Sequence, residues 1–355
     1  KTETYVVNVN IESNPIIPGF YADPEILYSE KYNKFYLYPT TDGYSGWNGY
    51  TFKVFSSCDL VNWTDEGIIL DVKSNQVPWA NGNAWAPSIL EKKNNDGSYT
   101  YYLYFSGNAG NMKNIGVAIS NDPTGPYIDI SKPMIYNLPK GVNGQLIDGH
   151  VFIDPVTKKS YFYFGNGFLA VVELNEDMIS INYNTLKIIT PQGGTLTDYA
   201  YREAPYVFYR KGIYYFIWSV DDTGSENYHI AYGTSNSPTG IINVASNPVI
   251  LIKDSEKKIF GTGHASVLKL PGKEDWYIIY HRINSKYIND GPGYHREICI
   301  DKLEFNEDGS IKKVIPTKRG IDPVNIFFTD TISINRSFNN IYYYENKEIL
   351  KRYVY

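Results

Sequence analysis

Asp23-Pro-Glu-Ile-Leu27, Ala86-Pro-Ser-Ile-Leu90, Asp148-Gly-His-Val-Phe152, Ala204-Pro-Tyr-Val-Phe208 and His264-Ala-Ser-Val-Leu268 are five versions of one segment. Each opens on a small or polar residue and ends on a β-branched and apolar pair. Their first residues lie 63, 62, 56 and 60 apart, and a fixed period of this size marks a repeat architecture. Each segment is followed by an aromatic run, at 34–41, 100–106, 160–165, 213–219 and 275–282. These runs, bounded by Gly, Asn and Asp, fit strands buried on both faces. A third strand is expected at 50–56, 114–120, 168–174, 228–234 and 297–305, and a weaker fourth in each repeat, for example at 67–70 and 311–315. Turn clusters such as Ser120-Asn-Asp-Pro-Thr-Gly125 and Ser235-Asn-Ser-Pro-Thr-Gly240 close repeats. Five units of four strands predict an all-β fold, a five-bladed β-propeller. No long amphipathic helix pattern competes, and a two-sheet sandwich does not produce five matched units. The propeller is expected over 14–320. The polar stretch 321–355 reads as a tail forming a closing strand or a peripheral hairpin, too short for a carbohydrate-binding domain.

Composition narrows the function. The 355 residues carry 33 Lys and Arg against 38 Asp and Glu, a net charge of −5. Mild acidity argues against nucleic acid as the main partner, and no apolar run is long enough for a membrane helix. The two cysteines, Cys58 and Cys299, provide neither a disulfide framework nor a cysteine-rich metal site, and both read as buried free thiols. The chain starts at Lys1 without a signal peptide, which favours a secreted protein whose leader has been removed over a cytoplasmic one. The 34 tyrosines suit half-buried sheets and, secondarily, sugar platforms.

In a propeller the first strand of each blade lines the axis, so residues at the blade starts converge. Three starts carry acids: Asp23, Asp148 and Glu203, the last one position before the aligned Ala204. The fifth carries His264. A lone buried carboxylate is expensive, so these acids cap strands, hold a structural cation or do chemistry. The chemical reading is glycoside hydrolysis: one carboxylic acid protonates the leaving oxygen and an opposing carboxylate activates water. Blades one and four face each other across the channel, which leaves room for that water and suits inversion. A third acid raises the proton donor's pKa by like-charge repulsion.

Asn14-Pro-Ile-Ile-Pro-Gly-Phe-Tyr-Ala-Asp-Pro24 and Ser56-Ser-Cys-Asp-Leu-Val-Asn-Trp63 resemble signatures of glycoside hydrolase family 43. Trp85-Ala-Pro, Ile147-Asp148, Arg202-Glu203-Ala-Pro and Gly263-His264-Ala-Ser look like its later landmarks, and the resemblance spans about residues 14–320. It implies a five-bladed inverting hydrolase, with Asp23 as general base, Glu203 as general acid and Asp148 tuning the acid. It also implies that no cofactor is needed for the chemistry, although the family often holds Ca²⁺ or another cation on the axis; His264 matches its histidine, and a hydrogen-bonded structural histidine is the other reading.

A neutral sugar needs apolar ring faces and a few fixed hydrogen-bonding groups. Trp85 and Phe20, next to blade starts, are candidates for the ring faces. Arg296 matches the arginine that contacts the terminal sugar in family xylosidases and arabinofuranosidases; a structural ion pair is its alternative. Arg282, in Tyr-His-Arg, is a second substrate-binding candidate. The loop 42–50, carrying Trp47, reads equally as a pocket overhang or an exposed turn. The expected activity is exo-release of terminal α-L-arabinofuranose or β-D-xylose from hemicellulose-derived glycans. Endo-arabinanase and a non-catalytic sugar-binding propeller stay open. The related fructan-hydrolysing group carries Arg-Asp-Pro in a middle blade, where this chain has Ile-Asp-Gly.

Overall fold

The computed structural model describes residues 12–326, 341–345 and 348–352. Aromatic and β-branched runs separated by tight turns fold into five antiparallel sheets, each in chain order from the axis outward. Blade one is β1 (Tyr21–Ser29), β2 (Lys34–Thr41), β3 (Thr51–Ser57) and β4 (Thr64–Asp71). Blade two is β5 (Trp85–Lys93), β6 (Tyr99–Ala109), β7 (Met112–Ser120) and β8 (Ile128–Asp129). Blade three is β9 (His150–Ile153), β10 (Ser160–Phe164), β11 (Ala170–Leu174) and β12 (Ile181–Ile188). Blade four is β13 (Glu203–Arg210), β14 (Ile213–Val220), β15 (His229–Ser235) and β16 (Asn243–Leu251). Blade five has β17 (Phe260–Lys269), β18 (Trp276–Ile283) and β19 (Arg296–Leu303). The fold is a five-bladed β-propeller.

The five aligned residues share one backbone conformation. Asp23, Ala86, Asp148, Ala204 and His264 have φ of 49°, 45°, 58°, 57° and 45°. This left-handed region costs a non-glycine residue roughly 1–2 kcal/mol, so something must hold each one there. In four blades the pairing with the second strand skips two residues at this point, as a bulge. Each bulged N–H then binds a side chain of the preceding blade. Ala86 N donates to Thr40 Oγ1 at 2.7 Å, Asp148 N to Ser106 Oγ at 3.2 Å and His264 N to Ser219 Oγ at 2.8 Å. Ala204 N donates to Asp148 Oδ2 at 3.2 Å, and Asp23 N to His281 Nδ1 at 3.2 Å, which completes the ring.

Apolar clusters fill the spaces between blades. Tyr36, Tyr38 and Phe52 meet Leu103 and Phe105 between blades one and two; Phe208, Tyr215 and Ile217 meet Val267, Ile278 and Tyr280 between four and five. The buried phenols span the same gaps. Tyr38, Tyr104 and Tyr163, at one position of the second strand, donate to the carbonyls of Pro123, Met178 and Pro238 in turns of the next blade, at 2.7–2.8 Å. A buried hydroxyl without such a partner is costly.

Blade five departs from expectation. The segment 311–315 forms only a single bridge, Ile311 to Phe305. The edge of β19 is taken instead by residues 14–16: Ile16 N donates to Ile298 O at 2.9 Å, and the Asn14 amide binds Ile300 at both its N–H (2.9 Å) and its carbonyl (3.0 Å). Cys299 is buried as expected, but Cys58 is exposed. Residues Asn325–Tyr355 form a second unit, in which β20 (Ile341–Glu345) pairs antiparallel with β21 (Glu348–Arg352). Asn14→Ala leaves both Ile300 main-chain groups unpaired, so it should lower the unfolding free energy by about 2 kcal/mol or more. A denaturant midpoint equal to the parent's would show that closure of blade five rests elsewhere.

Candidate active site

Asp23 sits on the first bulge with 5 % of its surface exposed. Its Oδ1 accepts from Arg296 Nη1 at 3.1 Å and lies 3.1 Å from His264 Nδ1; its Oδ2 accepts from Thr40 Oγ1 at 2.7 Å. Burial alone would raise this carboxyl, but the charges of Arg296 and His264 outweigh it and hold Asp23 well below the usual carboxylate range. His281 has a different role. Burial, with Arg296 nearby, pushes its pKa down to about 3. Its Nδ1 accepts the Asp23 N–H, so the proton of this neutral ring sits on Nε2. The 3.3 Å approach of Nδ1 to Asp23 Oδ1 is therefore no ion pair.

Arg296 bridges two acids. Nε and Nη2 fork onto Asp42 at 2.8 and 3.2 Å, while Nη1 reaches Asp23 and, at 3.0 Å, Thr223 Oγ1. A planar guanidinium suits this two-sided duty.

Glu203, on blade four, accepts from Tyr228 OH at 2.8 Å on Oε1 and from Asn166 Nδ2 on Oε2. Asp148, on blade three, is tied to it through the Ala204 N–H. Burial is the largest effect on both and raises both, and each also feels the negative charge of Asp23. Asp148 is pushed up to about 8. Two such carboxyls titrate as one unit, and burial shifts that unit above the ordinary carboxylate range. The imidazole of His264 faces all three acids. Burial disfavours its charged form, but their charges prevail and push it up to about 9.

That placement bears on the cation expected at His264. The Nδ1 edge of the imidazole is turned to Asp23 Oδ1 at 3.1 Å. Among the described residues no three His, Cys, Asp or Glu side chains gather to hold a metal. No step below runs through a cation.

The loop 42–50 is packed, not free. Trp47 Nε1 donates to Gly293 O at 2.6 Å, its ring meets Tyr294 edge-on at 5.9 Å, and Gly43 N donates to Tyr294 O at 2.6 Å. The Trp47 carbonyl receives Trp85 Nε1 and Asn83 Nδ2, both at 2.8 Å. A side chain at Gly293 would put its Cβ 2.5 Å from the indole, so the close approach requires glycine. Phe20 packs edge-on against Tyr287 and His295 at 5.2 and 4.9 Å. Loops from blades one, two and five thus interlock beside Asp42 and Arg296.

The structure brings Asp23, Asp148, Glu203, His264 and Arg296 together and sets Phe20 and Trp85 at the same end. It does not bring Arg282 there. Arg282 pairs with Glu297 at 2.6 Å and caps the Asn14 carbonyl at 3.2 Å, fastening the chain start to blade five. Side chains alternate along a strand, so in Tyr280-His281-Arg282 the histidine faces the acids and the arginine faces away. The signal for His281 was its register: it pairs with Gly263 just as Thr40, Ser106 and Ser219 pair beside the other blade starts. Asp42, Thr223 and Asn166 lie beyond strand ends, where the repeat gives no signal, and Tyr228, expected to open the third strand of blade four, lies one residue before β15.

Known proteins agree with this architecture. The family described as "Glycosyl hydrolases family 43" matches residues 12–311. A β-D-galactofuranosidase, xynD, of Aspergillus niger is 38% identical over 319 residues, 87% of this chain and 86% of that protein. An arabinoxylan arabinofuranohydrolase of Bacillus subtilis is 30% identical over 91% of this chain and 68% of its own length. The crystal structure of a thermostable family-43 glycoside hydrolase superposes with a TM-score of 0.72 at 26% identity, covering 90% of this chain and 98% of that one. The chain belongs to family 43 of the glycosyl hydrolases.

Proposed function

We propose that the protein is an inverting, exo-acting glycoside hydrolase that removes terminal α-L-arabinofuranose from hemicellulose-derived glycans, with terminal β-D-xylose as the second candidate. The observation that carries this reading is the placement of three buried carboxyls: Asp23 lies against Arg296 and His264, which favour its ionised form, while burial raises Asp148 and Glu203 on the facing blades. Asp23 acts as general base, taking a proton from water as the water oxygen bonds to the anomeric carbon. The glycosidic C–O bond breaks, and its oxygen takes the proton of Glu203. Asp148 keeps that proton available by repelling a second negative charge.

The furanoside preference is supported by the names of the two relatives, since β-D-galactofuranose and α-L-arabinofuranose share ring configuration and differ by one CH(OH) unit. Exo action is supported by the packing of the Trp47 loop against loops of blades two and five, beside Asp42 and Arg296, since an endo-enzyme needs an open groove.

The pH dependence follows from the shifts. Activity is gained as Asp23 ionises, below its ordinary 3.8, and lost as the raised Glu203 carboxyl, coupled to Asp148, gives up its proton above its ordinary 4.5. A descending limb near an unperturbed glutamate value of about 4.3 would contradict this. Glu203→Gln should lower kcat/KM by roughly 10²–10⁴ for an aryl arabinofuranoside with a poor leaving group, and far less for the dinitrophenyl glycoside, whose leaving group needs no acid. Asp23→Asn should fail on both substrates. If both variants turned over like the parent, these roles would be wrong. A panel of aryl α-L-arabinofuranoside, β-D-galactofuranoside and β-D-xyloside with linear arabinan and arabinoxylan reads specificity; internal cleavage of arabinan would overturn exo action. Trp47→Ala should raise KM about tenfold, with kcat changing less, because this loop shapes binding more than chemistry.

A further inference from the structure

Glu203 lies between two donors that the reaction scheme above does not use. Tyr228 OH reaches Oε1 at 2.8 Å and Asn166 Nδ2 reaches Oε2. Tyr228 has 0 % of its surface exposed and precedes β15. Its ring is seated by two neighbours. It stacks on His281 with planes 4° apart and centroids at 5.5 Å, and it lies across Gly263, where an added Cβ would come within 2.1 Å of its Cε1. The glycine before His264 is the space that this ring occupies. Asn166 follows β10 on blade three, so donors from two blades grip one carboxyl.

We infer that Tyr228 is a positioning residue for the proton donor: its hydroxyl, opposite Asn166 and seated on Gly263 and His281, fixes the rotation of the Glu203 carboxyl and stabilises its ionised form. This rests on Glu203 being the general acid. A buried carboxyl in an apolar cleft would hold its proton too tightly to release it to a sugar oxygen. A donor on Oε1 counters that by favouring the carboxylate, and it limits the carboxyl to orientations that leave one oxygen edge free for the substrate. The other groups facing Glu203 are Asp148 and Asp23, which disfavour its charge, and His264 and Arg202, which favour it. Tyr201, whose hydroxyl is spent on the Gly165 carbonyl, is also within electrostatic reach. Of these, Tyr228 and Asn166 touch the carboxyl oxygens through hydrogen bonds. The stack also links the two halves of the site, because His281 holds the main chain of Asp23.

The test is Tyr228→Phe, which keeps the ring, assayed on a poor-leaving-group aryl arabinofuranoside and on its dinitrophenyl counterpart. The expected result is a kcat lowered about 10- to 100-fold on the first with KM within about twofold, little change on the second, and a descending limb of kcat/KM moved about one pH unit upward. Gly263→Ala, which displaces the ring without deleting the hydroxyl, should reproduce the kcat loss and serves if the phenylalanine variant folds poorly. Equal losses on both substrates, or an unmoved limb, would overturn the inference. Glu203→Gln run alongside separates the two claims: if it shows no dependence on leaving group, the general-acid assignment fails; if it does while Tyr228→Phe matches the parent, only the positioning role fails.

Discussion

Five main-chain N–H groups around the axis, each captured by a side chain of the blade before it, are the constraint on which the rest of the molecule depends. In four blades the bulge that frees this N–H from its own sheet also forces a left-handed backbone on a residue with a Cβ, and Asp148 takes the same conformation just ahead of the third blade's first strand, so strain and hydrogen bond come together. Four captures use ordinary strand-end residues: Thr40, Ser106, Ser219 and His281. In blade three that position falls at Gly165, which has no side chain, and the Asp148 carboxylate serves instead. One acid is therefore both a structural link between blades three and four and the electrostatic neighbour of Glu203.

The same ring brings the charges together. Blade starts turn inward, so acids from blades one, three and four share a small volume with His264 from blade five. Three carboxylates there would repel one another severely, and two devices prevent it. Arg296 and His264 stabilise the negative charge of Asp23, while burial and mutual repulsion disfavour ionisation of Asp148 and Glu203. The asymmetry that chemistry requires is set by which acid the arginine reaches. Asp42 takes the other edge of Arg296, so the guanidinium cannot turn toward Glu203.

Much of this was legible in the sequence, for physical reasons. Strands buried on both faces must be apolar, so runs such as Phe35-Tyr-Leu-Tyr38 announce themselves, and acids at an otherwise apolar hub stand out. The tyrosine excess is explained by its buried hydroxyls, of which Tyr38, Tyr104 and Tyr163 staple neighbouring blades at turn carbonyls. What stayed hidden depends on partners distant in the chain. The pairing of Asn14 with Ile300 spans 286 residues and leaves no local pattern. Tyr228, Asn166, Thr223 and Asp42 reach the site from beyond strand ends, where their direction follows from how blades are placed, not from alternation along a strand. The resemblance leaves His264 as either a cation ligand or a hydrogen-bonded structural histidine; its 3.1 Å approach to Asp23 fits the second.

The central claim is that Asp23 directs water to the face of the sugar opposite Glu203, in a single displacement. The most direct measurement is the anomeric configuration of the first-formed product, followed by proton NMR during rapid hydrolysis of an aryl α-L-arabinofuranoside at high enzyme concentration. The account predicts initial appearance of β-L-arabinofuranose, with the α anomer growing in only as mutarotation proceeds. Initial release of the α anomer would require a covalent or otherwise double displacement and would contradict it.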